Sequence, residues 1–226
     1  MVNVGTMPIR LQMVTTPGQF KDKILRTMHA ELTRKLASGA FKNSIRRGVK
    51  PILERALVTQ DEYQSMVAQD GKLRAELGVV DSESAMNSLV RDWVRSTHVT
   101  VSRPRIVGSR LIGTILTVRA IQADYQDVLG QAYASYTTEK GQRIPWLEWL
   151  LTKGMETFIR QYSVVEMPTA RSRTGTNTIM LKTEGGGWGV PEEFAGTPAN
   201  NYATRAVIDA MPEIERLYIQ EVRSRL

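Results

Sequence analysis

The run Gly-Gly-Gly-Trp-Gly-Val-Pro-Glu-Glu-Phe-Ala-Gly-Thr (185–197) is the stretch that decides how this chain is organised. Upstream of it lie a basic segment, Arg-Ser-Arg-Thr-Gly (171–175), and the candidate strand Asn-Thr-Ile-Met-Leu-Lys (177–182). Downstream, Asn-Asn-Tyr-Ala-Thr-Arg (200–205) leads into the last helix. Glycine enters positive-φ conformations without steric cost, so the cluster 185–187 with Gly189 predicts an irregular, sharply turned connection.

Two aromatic residues, Trp188 and Phe194, stand in this glycine-rich loop. Large rings on loops often anchor contacts between proteins, because they bury much area at little entropic cost. The first interpretation is therefore that both rings are exposed anchors. The second is that the loop belongs to a hairpin whose aromatics fold back onto their own domain.

Outward from this stretch, residues 158–165 and 179–181 are strand candidates that would pair across the polar loop 168–176. The final helix is predicted from about 201 to 225, with a kink before Pro212. Just before the strands, Pro145 and the run Trp-Leu-Glu-Trp-Leu-Leu (146–151) predict a short buried helix.

Near the other end, apolar residues recur every four positions and predict one long amphipathic helix over about 20–55. We expect a bend at Ser38 and Gly39, and a break near Gly48 because Pro51 cannot continue the hydrogen-bond ladder. The apolar positions are Phe20, Ile24, Met28, Leu32, Leu36, Phe41, Ile45, Val49 and Leu53.

Shorter elements complete the prediction. Alternation at residues 9–13 indicates a strand at the N-terminus, and Thr59 with Glu62 forms a capping-box pattern at the start of a short helix. Val99 and Val101, followed by the β-branched run 111–121, predict a hairpin.

Helices first, then strands and a closing helix favour an α+β fold, with a helical N-terminal part packed on a small antiparallel β-sheet. We expect an N-terminal lobe of residues 1–96, with the strand and most helices. A β-rich lobe of residues 97–226 carries the C-terminal helix. One continuous domain is the alternative.

Composition narrows the function classes. The 226 residues include no cysteine, which excludes disulfides, thiolate nucleophiles and zinc–thiolate sites. No run approaches the roughly 18 apolar residues of a membrane span, and we expect no membrane partner. The N-terminus lacks a signal-peptide pattern, so synthesis in the cytoplasm is the expectation.

The formal net charge of +7 is concentrated in residues 20–55, where ten Lys or Arg stand against three acidic residues. Such a segment can neutralise phosphates, so it indicates a nucleic-acid-binding protein as one alternative. A solvated outer face and a docking surface for an acidic protein partner are the other two interpretations. Arg46 and Arg47 in this segment, and Arg171 and Arg173 in the polar loop, are the candidate charged contacts.

No catalytic constellation is evident. The only histidines, His29 and His98, have no partner at metal-ligand spacing, and no P-loop, Gly-x-Ser-x-Gly or His-Glu-x-x-His motif occurs. The pairs Asp61–Glu62 and Glu192–Glu193 fit helix or turn starts better than acid–base catalysis. We therefore expect no enzyme activity, no catalytic residue, no metal and no cofactor.

One resemblance adds to these observations. Ser-Arg-Thr-Gly (172–175), Trp-Gly-Val-Pro-Glu-Glu-Phe-Ala-Gly-Thr (188–197) and Asn-Asn-Tyr-Ala-Thr-Arg-Ala (200–206) together resemble the C-terminal part of a family of tailed-bacteriophage neck proteins. These proteins lie at the head–tail connection or tail-completion position. The upstream segments 62–78 and 146–154 fit the same pattern. None of these motifs is a catalytic signature.

The resemblance implies a structural virion protein of a tailed bacteriophage, made in the host bacterial cytoplasm. It would form a homo-oligomeric ring of six or twelve copies at the neck. Its expected partners are other copies of itself, a portal or adaptor protein, and a tail-terminator or tail-tube protein, with DNA only passing through the channel. Loops 137–143, 168–176 and 185–197 would reach these neighbours. The expected interface residues are Trp188, Phe194, Arg171, Arg173, Arg46 and Arg47.

Overall fold

The computed structural model describes residues 16–120, 125–138, 141–154, 156–167 and 177–226. The predicted strand at 9–13, and Arg171 and Arg173 within loop 168–176, lie outside the described residues. The described elements are α1 (Pro17–Leu36), α2 (Gly39–Val58), α3 (Asp61–Val67), α4 (Lys72–Leu77), α5 (Ser82–Ser96), β1 (His98–Val101), β2 (Arg105–Val107), β3 (Arg110–Ile112), β4 (Leu116–Arg119), α6 (Gln126–Leu129), a 3₁₀ turn (Ala132–Ala134), β5 (Tyr136–Thr137), β6 (Arg143–Ile144), α7 (Trp146–Thr152), β7 (Ile159–Glu166), β8 (Thr178–Trp188) and α8 (Tyr202–Arg223).

The fold is α+β, as the order of predicted elements indicated: helices at the N-terminal side, small antiparallel sheets, and a closing helix. The strands in the described parts of the chain form four separate two-stranded sheets, β1–β4, β2–β3, β5–β6 and β7–β8. The β2–β3 hairpin is nested inside the β1–β4 hairpin, so the predicted hairpin contains a second, shorter one.

The predicted long helix is two helices, separated at Ala37 and Ser38. The Ser38 hydroxyl accepts a hydrogen bond from the Phe41 amide and caps α2. In α1 the four-residue repeat drifts about 40° around the helix at each step, so Phe20 and Leu36 point about 160° apart. Leu36 is therefore buried, whereas Phe20 is 59% exposed.

The predicted break near Gly48 was wrong, because α2 continues through Gly48 and Pro51 to Val58. Pro51 and Arg47, whose carbonyl loses its helical partner, are both exposed, so water can solvate that carbonyl. Gly48 instead faces α8: a Cβ there would lie 2.5 Å from Leu217 Cδ2. The glycine thus lets α2 and α8 pack closely.

The predicted capping box at Thr59 and Glu62 was also wrong. Helix α3 has Gln60 as its N-cap residue, with no capping side-chain bond, and the Thr59 hydroxyl donates to the carbonyls of Arg55 and Ala56. Glu62 is only 2% exposed and accepts a hydrogen bond from Arg205 of α8. Glu62 therefore forms a long-range ion pair with Arg205 and not the predicted local cap.

The buried residues form two clusters. The larger one combines α3, α4 and α5 with α7, the segment 188–194 and the start of α8. The smaller one packs α2 against β1 and the middle of α8, with Phe41, Ile45 and Val49 at its centre. Each cluster draws residues from both sides of position 96.

Candidate functional site

The Trp188 side chain lies inside the larger cluster and is 5% exposed. Its ring contacts Trp149 and Phe158, with centroids at 5.9 and 6.5 Å, and those two rings stack on each other at 4.3 Å. The indole Nε1 donates a 3.0 Å hydrogen bond to Glu76 Oε2. Trp188 therefore joins β8 to α4 and α7 within one chain.

Phe194 is 8% exposed and belongs to the same cluster. Both rings are thus folded back onto their own chain, which is the second interpretation of the sequence. In this conformation they offer little surface to a neighbouring protein. The expectation of exposed anchors rested on loop context alone. It did not take into account the packing of this segment against α4 and α7.

The glycine cluster is part of β8, not of a connecting loop. Gly187 pairs with Arg160 and Trp188 with Ile159, while the register shifts between Arg160 and Tyr162. This irregularity places Gln161 and Gly185 at φ of 63° and 81°. At Gly189 a Cβ would lie 2.6 Å from the Glu156 carbonyl oxygen, so close strand approach also requires glycine here.

Two carboxylates fasten the segment 185–197 to α4. Burial raises the pKa of Glu76, and the hydrogen bond from Trp188 partly offsets that effect. Glu193 pairs with Lys72 on the surface, and this hydrogen bond lowers the pKa of Glu193. Because the partly buried Glu76 carboxylate accepts the indole N–H of Trp188, it is explained as a structural acceptor.

Asn201 occupies the centre of the next segment and is fully buried. The two hydrogens of its Nδ2 are shared among three acceptors, namely Tyr125 Oη at 2.7 Å, the Leu151 carbonyl at 3.0 Å and the Thr197 carbonyl at 2.8 Å. Its Oδ1 accepts from the amides of Ala203 and Thr204 and caps α8. Through Asn201, the motif 200–206 thus connects the start of α8 to three other segments of the chain; we call this set of contacts the Asn201 joint.

Arg46 and Arg47 lie on the exposed side of α2, in the region of the smaller cluster. Arg46 Nε donates to the Val99 carbonyl at 3.2 Å, and Arg47 Nε to the Asn43 carbonyl at 3.4 Å. The structure therefore does not bring them together with Trp188 and Phe194, which belong to the larger cluster.

The basic segment is not one continuous face, because it is divided between two helices. Six of its ten basic residues donate hydrogen bonds to protein acceptors, namely Arg34, Lys35, Arg46, Arg47, Lys50 and Arg55. A side chain held by a protein carbonyl or carboxylate is less available to a phosphate.

Sequence reasoning missed two exposed apolar ridges on helices. We define the α1 ridge as Phe20, Ile24 and Met28, and the α8 ridge as Ile208, Met211 and Ile219; all six side chains are exposed. The helical period was the only available signal, and it identified apolar positions without distinguishing the buried face from an exposed one. A third exposed apolar group lies on the β7–β8 ribbon, at Tyr162, Met180 and Leu181.

Within the described residues, no group of three or more His, Cys, Asp or Glu side chains could hold a metal ion. A search of the same residues also found no helix long and apolar enough to cross a membrane. Comparisons with protein-family models, with curated proteins and with solved structures found no match to this chain.

Proposed function

We propose that this chain is a structural protein of a tailed bacteriophage virion, acting as a ring at the neck that joins the capsid side to the tail. In this proposal the protein works by assembly and not by catalysis. The neighbours are a portal or adaptor protein on one side and a tail-terminator or tail-tube protein on the other. DNA crosses the ring channel without being gripped.

The β7–β8 ribbon carries the proposal. Within the described part of the chain it pairs with no third strand, so both outer edges present backbone N–H and C=O groups. Exposed side chains along it include Tyr162, Met180 and Leu181. A two-stranded ribbon is only marginally stable by itself, and open edges are sites where another chain adds a strand. A neighbouring subunit would supply that cover.

The resemblance of residues 172–206 to neck proteins supports the same conclusion from the sequence. In the structure this stretch holds the ribbon strand β8, the buried Trp188 and the α8 cap. These features attach the base of the ribbon firmly to the body. A rigid base would let the ribbon present its edges to a neighbour at a fixed angle.

The test is electron microscopy of lysates from a phage with a nonsense mutation in this gene, beside lysates of the intact phage. The proposal predicts DNA-filled heads and finished tails lying separate, or heads that have leaked DNA beside tails. Adding the purified full chain to the mutant lysate should restore joined, infective particles. Normally joined particles in the mutant lysate would refute the neck function.

A further inference from the structure

The α1 ridge and the α8 ridge are unpartnered surfaces of different helices. Phe20 is 59% and Ile208 61% exposed, although both are large apolar side chains. Along α1, every residue before Leu25 is exposed, so the first two turns extend away from the core. Exposed apolar surface that repeats along one helix side is typical of a contact site.

The two ridges carry opposite charge. Around the α1 ridge, residues 17–28 contain Lys21, Lys23 and Arg26 against Asp22, a net charge of +2. Around the α8 ridge, residues 208–219 contain Asp209, Glu213 and Glu215 against Arg216, a net charge of −2. Arg55 of the same molecule pairs with Glu213, so the exposed Asp209 and Glu215 present the negative charge to a neighbour.

The positions of these charges fit the ridges. Glu215 follows Met211 and precedes Ile219 by four residues each, so its carboxylate lies within the α8 ridge. Lys21 and Lys23 fall on the two sides of the α1 ridge, because successive helical residues are rotated by about 100°. One surface is therefore apolar with a central acid, and the other is apolar with flanking bases.

Within one molecule, α1 reaches the opposite end of α8 from the ridge residues Ile208 and Met211. Lys35 near the end of α1 donates to the Leu226 carbonyl at 3.0 Å. Ile208 and Met211 lie near the other end of α8, where Gln60 donates to Asp209 at 2.8 Å. Among the described residues, the α1 ridge therefore does not cover Ile208 or Met211 of its own molecule.

We propose that the α1 ridge of one copy docks on the α8 ridge of a second copy. The contact joins two different surfaces, so in a docked pair the first copy keeps a free α8 ridge and the second a free α1 ridge. Repeated contacts of this type close into a ring when the rotation between copies permits it. The inference rests on the proposed ring function and specifies the surfaces through which neighbouring copies meet.

Cysteine trapping tests the contact directly, because the natural chain has no cysteine. The full-length variants Phe20→Cys and Ile208→Cys are treated with a short bismaleimide, separately and as an equimolar mixture. We expect cross-linked dimers in the mixture and few in either variant alone. Val80→Cys mixed with Phe20→Cys is the matched control, because Val80 is an exposed apolar residue outside both ridges.

Three outcomes would overturn the docking proposal. Equal dimer yields from Phe20→Cys alone would mean that two α1 ridges pair symmetrically. A chain with both cysteines that links only within itself would mean that the ridges cover each other inside one molecule. No link above the Val80 control would mean that something else covers α1.

A second measurement uses charge. Glu215→Lys should weaken self-association measured by sedimentation about tenfold or more, and Lys21→Glu with Lys23→Glu in the mixing partner should restore it. Circular dichroism checks that each variant is folded. If the ridges cross-link but the protein is not found at the neck, only the phage function is refuted. If the protein is found at the neck but the ridges do not cross-link, only this docking is refuted.

Discussion

The segment 185–197 and the first half of α1 contain large apolar residues in opposite settings. At the end of β8 and in the turn that follows it, Trp188 and Phe194 are both buried, and the Trp188 ring contacts rings of α7 and of the chain before β7. In the regular helix, Phe20, Ile24 and Met28 are exposed. Regular secondary structure therefore does not imply burial, and loop context does not imply exposure.

The difference has a physical reason. Trp188 finds both an aromatic wall and an acceptor for its N–H, so burial leaves no polar atom of the ring unpaired. The α1 ridge rotates away from the body, since its four-residue spacing exceeds the 3.6 residues of a helical turn and the apolar positions drift around the helix. Four pairs of substitutions, ordered from the largest expected effect to the smallest, test this contrast and the buried contacts around it.

Trp188→Ala should lower the free energy of unfolding by about 3–5 kcal/mol, the usual cost of truncating a buried large aromatic residue. Urea denaturation followed by circular dichroism measures this loss. Phe20→Ala is the matched control and should change stability by less than about 0.5 kcal/mol. Equal effects of the two substitutions would contradict the contrast.

Arg205→Ala should cost about 2–3 kcal/mol, because it leaves the Glu62 carboxylate buried without its partner. The value lies at the low end for buried pairs, since the Arg205 side chain remains about one-third exposed. Adding Glu62→Gln should recover most of the loss, because the substitution removes the buried charge. A double variant no more stable than Arg205→Ala would contradict this account.

Glu76→Gln should preserve the hydrogen bond from Trp188 and remove a partly buried charge. The pKa of Glu76 is raised above its ordinary value of 4.5, chiefly by burial. The folded chain thus binds more protons there than the unfolded chain, and the contribution of Glu76 to stability falls as pH rises above about 4.5. The variant should lack this fall and be at least as stable as the natural chain at pH 7.

Glu193→Gln is a control in which the pH dependence of stability should have the opposite sign. The hydrogen bond with Lys72 lowers the pKa of Glu193. The stabilising contribution of Glu193 is present above its unfolded pKa and is lost as pH falls through the lower folded value. Unfolding measured from pH 3 to 8 for both variants separates the two cases. If the natural chain became more stable relative to Glu76→Gln as pH rises, the proposed effect of burial on Glu76 would be refuted.

The smallest expected effect compares neighbouring residues of α1. Ile24→Ser on the exposed ridge should change the free energy of unfolding by less than about 0.5 kcal/mol. Leu25→Ser, one residue further on the half-buried side, should cost about 1 kcal/mol through lost apolar burial. If Ile24→Ser costs as much as Leu25→Ser in urea denaturation, the ridge is covered within the monomer.

Local patterns in the sequence predicted much of the fold. Met86, Leu89 and Trp93 recur at helical spacing, and all three are buried on α5. Gly78 ends α4 in the left-handed conformation that glycine adopts without strain. Alternation at Val99 and Val101 gave the inward side of β1. Each of these signals involves residues only a few positions apart.

The missed features depend on partners far along the chain. Glu62 meets Arg205 across 143 positions, and Trp188 meets Glu76 across 112. A capping-box pattern and a loop tryptophan carry no information about such partners. The exposure of candidate interface residues was the hardest property to predict from sequence, because it depends on the packing of the whole molecule.

The Asn201 joint has a consequence for the order of folding. One side-chain amide connects groups that lie 76, 50 and 4 residues away in sequence. The first turn of α8 therefore cannot be held in place until two distant segments have arrived, and closing such long loops is slow. We expect the start of α8 to become fixed last in folding. The amides of Ala203 and Thr204 should then gain hydrogen-exchange protection only after the larger cluster has formed.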